Sequence, residues 1–187
     1  MPYVPLESHL PGITGLLEYR RETAQPIREL TEILLRGPSS LTRAERELIA
    51  TITSSGNQCR FCTAAHAETV NMLLGESETA ERVKADIATA PVSEKMKALL
   101  TIADKVRQNG KLVTPEHVEA AKAAGATDEE IHDTVLIAAL FCLYNRYVDG
   151  MATAMPADNS YFTMLADRLV NHGYNRLPQG YDHLKKN

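Results

Sequence analysis

Apolar positions along this chain recur three and four residues apart, and no stretch alternates convincingly with period two, which predicts an all-α fold. Leu16 to Arg36 is helical in pattern but interrupted. Pro26 is expected to open its main segment, and Ile27, Leu30, Ile33 and Leu34 follow at helical spacing until Gly37-Pro38. Thr42 with Glu45 three later is a capping-box signature, and the helix it opens buries Leu48, Ile49 and Ile52 and runs to Ser55. Gly56-Asn57 breaks it, and Asn57 is a good N-cap for the next helix, which continues to Leu74-Gly75.

A shorter, charged helix is predicted over 76–90, and 94–108 carries Met96, Leu99, Leu100, Ala103 and Val106 on one stripe. A short helix follows Thr114-Pro115. Thr127, again with Glu130 three later, starts a long apolar helix to Asp149, and 158–172 forms the last. Residues 1–15 read as an extended N-terminal arm and 173–187 as a polar C-terminal tail, within a single domain over 1–187. Leu41–Glu45 and Ala126–Glu130 both open helices that lead into aliphatic runs, which hints at two pseudo-repeated helical halves but is too slight a match to establish a repeat.

With 187 residues, 44% apolar and 24% charged, the chain is long enough for a proper core and ordinary for a soluble globular protein. A net charge of −4 argues against nucleic acid or an anionic membrane as partner. The longest apolar run, Val135 to Leu143, is too short to span a bilayer and reads as a buried core helix. No basic region followed by an apolar run marks a secretory signal, so a cytoplasmic location is expected. Three cysteines, two of them a close pair, do not make a secreted disulfide framework.

That pair carries the chemistry. In Cys59-Arg60-Phe61-Cys62-Thr63-Ala64-Ala65-His66, at about 100° per residue, both thiols and the imidazole fall within about 60° of arc on one helix face. Thiols so spaced can be a dithiol or a disulfide without unwinding the helix. A helix N-terminus favours a thiolate at Cys59, whereas Cys62 is the i,i+4 neighbour of His66. Lowering a thiol pKa by about two units gains only about threefold in reactivity at pH 7, because nucleophilicity falls with it. A proton donor for the departing alkoxide contributes about 10²–10⁴-fold. His66 is that donor candidate, and Glu47, on the preceding helix, the carboxylate that would orient it; Glu45 competes but is occupied as a cap. Cys142 reads as core and His132 as a solvated cap residue. Tyr144, Asn145 and Arg146 either line a pocket or brace an interface.

Glu47, eleven intervening residues, Cys59-x-x-Cys62, three residues, then His66 resembles the signature of alkylhydroperoxidase D-like proteins of the carboxymuconolactone decarboxylase superfamily. The text around Leu35–Ser39, Glu45–Ala50 and Tyr144–Gly150 is similar to the peroxidase-related branch, and the resemblance covers about residues 16 to 172. It implies a compact all-helical fold assembling as a homo-oligomer, trimer or hexamer, with the site near a subunit interface. It implies a thiol-dependent peroxidase that reduces hydroperoxides through a Glu–His–Cys relay and an intramolecular disulfide. No haem or metal cofactor is implied. Phe61 stands where characterised relatives carry a histidine, which removes a relay element or makes the pocket more apolar.

By helix geometry the attack falls to Cys62 and resolution to Cys59. A dithiol or lipoyl-type reductant would restore the pair. The rival readings are a disulfide carrier acting on a partner protein or lipoyl group, a decarboxylase-like lyase, and a module in which Cys59, Cys62 and His66 hold zinc.

Overall fold

The structure, a computed structural model, describes residues 1–184, so the last three positions of the segment read as a tail lie outside the described residues. In those residues the chain forms nine α-helices and no strand. They are α1 (Ile13–Tyr19), α2 (Arg21–Arg36), α3 (Arg43–Gly56), α4 (Arg60–Leu74), α5 (Glu78–Ala85), α6 (Glu94–Gln108), α7 (Pro115–Ala123), α8 (Asp128–Gly150) and α9 (Ser160–His172). Short 3-10 turns lie at Gly110–Leu112 and Asp182–Leu184. Among the described residues no helix is long and apolar enough to cross a membrane.

Both capping boxes form. The Thr42 hydroxyl accepts from the Glu45 N–H at 3.2 Å while Glu45 Oε2 accepts from the Thr42 N–H at 2.8 Å. Thr127 and Glu130 repeat the exchange at 3.1 and 2.9 Å. Two starts differ from expectation. Pro26 lies inside α2, which begins at Arg21; the hydrogen bond it forfeits belongs to the carbonyl of exposed Glu22 in the first turn, where water replaces it. Asn57 closes α3, and Cys59 caps α4. The reversal needs only three residues, because Gln58 accepts a left-handed φ of 61° and the Cys59 N–H still reaches the Ser54 carbonyl at 3.1 Å.

α3 and α4 fold back on each other around that turn, α8 crosses α3 and α6, and α9 packs on α4. Two apolar clusters result. The larger gathers Leu34, Leu35, Leu48, Ile49, Leu99, Leu100, Ile137 and Phe141. The smaller holds Leu16, Cys59, Phe61, Cys62, Phe162, Leu165 and Tyr181. The α2 face differs from the expected one: Ile33 is exposed, and Ala24, Arg28, Thr31 and Leu35 turn inward. The apolar run of α8 is buried only on one side. Ile137, Ala138, Leu140 and Phe141 are core, while Ala139 and Leu143 face outward and Val135, Leu136 and Cys142 are half-buried.

Neither terminal segment hangs free. Within 1–15, Leu10 is buried, the Tyr3 and Gly12 N–H groups donate to the Met151 and Ala154 carbonyls at 3.2 and 3.1 Å, and α1 already starts at Ile13. The segment read as a polar tail buries Tyr181 and Leu184, because its few apolar side chains find the open side of the smaller cluster. Gly12 lies against the Phe61 ring with φ 61°, and a Cβ there would come within 2.3 Å of the ring. Gly12→Ala is therefore expected to destabilise the fold by about 2–4 kcal/mol, from left-handed strain together with overpacking. Urea unfolding measures this, and a loss below about 1 kcal/mol would mean the arm yields freely.

Candidate active site

The centre of the site is a carboxylate with no solvent contact. Glu47, on α3, is 0% exposed. Its Oε2 faces His66 Nδ1 of α4 at 2.6 Å. Its Oε1 accepts from Arg36 Nη2 of α2 at 2.6 Å and from the Tyr174 hydroxyl at 2.6 Å. Burial alone would raise the Glu47 pKa, but the imidazole, the guanidinium and the phenol together hold it below the ordinary carboxylate value. An ionised carboxylate only accepts, so His66 Nδ1 carries the proton in this contact and the lone pair or second proton resides on Nε2. Phe141 meets the imidazole edge-on at 4.5 Å between centroids, and the Tyr174 ring lies parallel to it at 6.3 Å. The ring is fixed on both sides.

Arg36 and Tyr174 are members of this site that sequence reasoning did not assign. Arg36 closes α2 just before Gly37-Pro38, and its guanidinium also lies 5.0 Å from the Tyr174 ring centroid. Tyr174 comes from the supposed polar tail and carries no periodicity that marks it. It is placed by Gly173, whose φ of 70° turns the chain inward against the Glu32 carboxylate. The Tyr174 N–H then donates to Glu32 at 2.6 Å. Burial, followed by the charge of Glu47, raises the phenol well above its ordinary pKa, so it remains a donor.

Both cysteines are reduced and buried, Cys59 at 0% and Cys62 at 3% exposure. The neighbouring Cys62 thiol lowers the Cys59 pKa against the opposing effects of burial and Asp149. The Cys59 thiol, followed by burial, raises Cys62 well above the ordinary thiol value, with Asn145 partly offsetting the rise. Cys59 is thus the better thiolate, but Cys62, together with His66, lines the cavity between α4, α8 and α9. The rest of that lining is mostly apolar or aromatic, including Phe61, Leu165, Phe141 and Tyr144. Phe61 packs on Phe162 at 5.4 Å between centroids, as an apolar wall in place of a relay group. A wider hollow, about 560 Å³, lies around Leu6, His9 and Arg176, but no cysteine lines it.

Asn145 resolves as both brace and neighbour: it accepts from Asn57 at 2.9 Å, donates to Ser54 at 3.1 Å and reaches Cys62. Arg146 is exposed, and Cys142 is half-buried rather than core, taking a 3.4 Å contact from Asn57. His132 is exposed beside Asp133, as expected. Among the described residues no group of three His, Cys, Asp or Glu side chains is arranged to hold a metal ion.

Residues 21–105 match the carboxymuconolactone decarboxylase family. No curated protein matches the sequence. Among solved structures, an uncharacterized peroxidase-related protein from Silicibacter sp. TM1040 is 25% identical with a TM-score of 0.73, over 79% of this chain and 77% of that one. The alkylhydroperoxidase core of an uncharacterized peroxidase-related protein from Ralstonia eutropha JMP134 is 26% identical with a TM-score of 0.74, over 83% and 80%. A protein of unknown function from Agrobacterium tumefaciens shares the fold, at 23% identity and a TM-score of 0.66, over 76% and 97%.

Glu47→Gln leaves Arg36 as a buried, uncompensated charge, with an expected loss of about 3 kcal/mol at neutral pH. Because the Glu47 pKa is depressed in the fold, its stabilisation is complete above the ordinary value of 4.5 and disappears as pH falls through the depressed value. Urea unfolding across that range should show the wild-type advantage shrinking on acidification. A gap that stays constant to the lowest pH would mean that Glu47 is not ionised.

Proposed function

We propose that this chain, an alkylhydroperoxidase D-like member of the carboxymuconolactone decarboxylase superfamily, is a thiol-dependent peroxidase that reduces hydroperoxides through Cys59, Cys62, His66 and Glu47. The observation that carries the reading is the buried 2.6 Å contact between Glu47 and His66, with Cys62 on the same cavity as the imidazole. Cys62 gives its proton to His66 Nε2, whose Nδ1 is held by Glu47, which leaves the Cys62 thiolate facing the cavity. Its sulfur attacks the terminal peroxide oxygen, the O–O bond breaks, and Cys62 becomes a sulfenic acid. The alkoxide takes that proton back from His66 Nε2, the ring being held in place by Glu47 through Nδ1. Cys59 then condenses with the sulfenic acid, releasing water and forming the disulfide, and an external dithiol or lipoyl-type reductant restores both thiols.

The low Cys59 pKa by itself would favour the opposite order; access to the cavity favours Cys62. Burial of both sulfurs supports a small-molecule oxidant over a disulfide-carrier role, since a partner protein's disulfide would have to reach sulfurs without solvent contact. Self-association is part of the proposal. The outward residues Ala139 and Leu143, one turn apart on α8, give a partner copy an apolar face to cover.

With dihydrolipoamide as reductant, the wild type should consume hydroperoxide and the Cys59→Ser/Cys62→Ser double variant should not. His66→Gln should lose about 10²-fold or more. A sulfenate trap should label Cys59→Ser and leave Cys62→Ser unlabelled; the reverse pattern reverses the order of attack. In light scattering coupled to size exclusion, the wild type should run as a trimer or hexamer, and a charge at Leu143 (Leu143→Glu) should dissociate it. A wild-type monomer would refute self-association.

A further inference from the structure

The cavity that holds Cys62 and His66 is also lined by Arg28 of α2 and Arg168 of α9. Both are buried, at 3% and 2% exposure, yet Arg28 Nε and Nη1 and Arg168 Nε have no hydrogen-bond partner among the described residues. Their other donors are engaged. Arg28 Nη2 donates to Glu18 at 2.9 Å, and Arg168 Nη1 and Nη2 donate to the Gly173 and Asn175 carbonyls at 3.0 and 2.8 Å. Both guanidiniums lie by the Tyr181 ring, 5.2 and 4.8 Å from its centroid. An aromatic face attracts a cation but does not replace an acceptor for its N–H groups.

Charge is unbalanced as well. Glu18 is shared by Arg28, Arg21 and Arg176, and among the described residues no carboxylate pairs with Arg168. Burial, followed by the positive charge of Arg28, lowers the Arg168 pKa from the usual arginine value. Natural interiors leave few buried donors unpaired. Three such donors on two cations beside one cavity offer an anion a place to bind.

We infer that this cavity takes a short hydroperoxide bearing a carboxylate, the carboxylate seated on Arg28 and Arg168 and the peroxide at Cys62; the peroxide half of this rests on the reading in the preceding subsection. A carboxylate has two oxygens, each able to accept an N–H from one of the two cations. The remaining wall, with Ile13, Leu17, Phe61 and Leu165, suits a hydrocarbon body. The free volume is about 40 Å³, room for only a few waters, so the chain is short.

The matched substrates are hydroperoxyacetate and its methyl ester, and the product glycolate serves as a non-reacting probe. In the wild type, kcat/KM for the acid should exceed that for the ester by about tenfold or more, mainly through KM. Arg28→Gln should bring the acid-to-ester ratio towards one, and Arg28→Lys should keep part of it. Glycolate should bind one-to-one by calorimetry to the wild type and at least tenfold more weakly to Arg28→Gln. Equal rates for acid and ester together with no binding of the hydroxy acid overturn the inference. Binding that depends on Arg28, with neither hydroperoxide consumed, upholds the anion seat and refutes the peroxidase reading.

Discussion

Removing a carboxylate from water costs several kcal/mol unless protein donors replace its hydration, and Glu47 has lost all of it. Three groups make the replacement: Arg36 at the end of α2, His66 on α4 and Tyr174 beyond α9. None can leave without stranding charge in the interior. The consequence is geometric, since four separate parts of the chain must converge on one pair of oxygens. The buried charge is therefore weak as a source of net stability but strong as a constraint on how α2, α3, α4 and the segment after α9 assemble.

That constraint organises the chemistry. The imidazole is held through Nδ1 and between two aromatic rings, which leaves Nε2 as the working nitrogen. The cysteines belong to the smaller apolar cluster, whereas Leu48 and Ile49, the chain neighbours of Glu47, belong to the larger one. The site thus lies on the seam between two cores. Its apolar wall draws on both, with Phe141 from the larger cluster and Phe61 and Leu165 from the smaller. Within the thiol pair each sulfur acts on the other, easing ionisation at Cys59 and opposing it at Cys62. On the far side of the cavity Arg28 and Arg168 face the same space with donors unspent. The imidazole, one thiol and two guanidiniums thereby share one small chamber.

Much of this was legible in the residues alone. Capping boxes at Thr42 and Thr127, the three- and four-residue apolar rhythm and the 47–59–62–66 spacing depend on contacts within a helix or between adjacent helices. Local rules therefore recover the all-α fold and the closeness of Glu47 to His66, and they place Cys62 on α4, while Cys59 falls just outside that helix as its cap. Errors arose where tertiary contact overrode the local signal. Asn57 has the chemistry of an N-cap, but its amide is drawn to Asn145 and the cap passes to Cys59. Ile33 fits an apolar stripe, but α2 turns Arg28 and Thr31 inward, where Glu18 and the Tyr144 hydroxyl pair with them.

The sequence by itself determined which residues can do redox chemistry and which helices carry them, because spacing along a helix translates directly into a shared face. Only the tertiary structure decided that Arg36 and Tyr174 complete the carboxylate's shell, that Cys62 rather than Cys59 meets the cavity, and that Arg28 and Arg168 lie beside it. Tyr174 meets Glu47 across 127 positions, Arg28 and Arg168 meet on one cavity from opposite ends of the chain, and no local periodicity encodes such meetings. They follow from which buried charges and donors must find partners once the helices have packed.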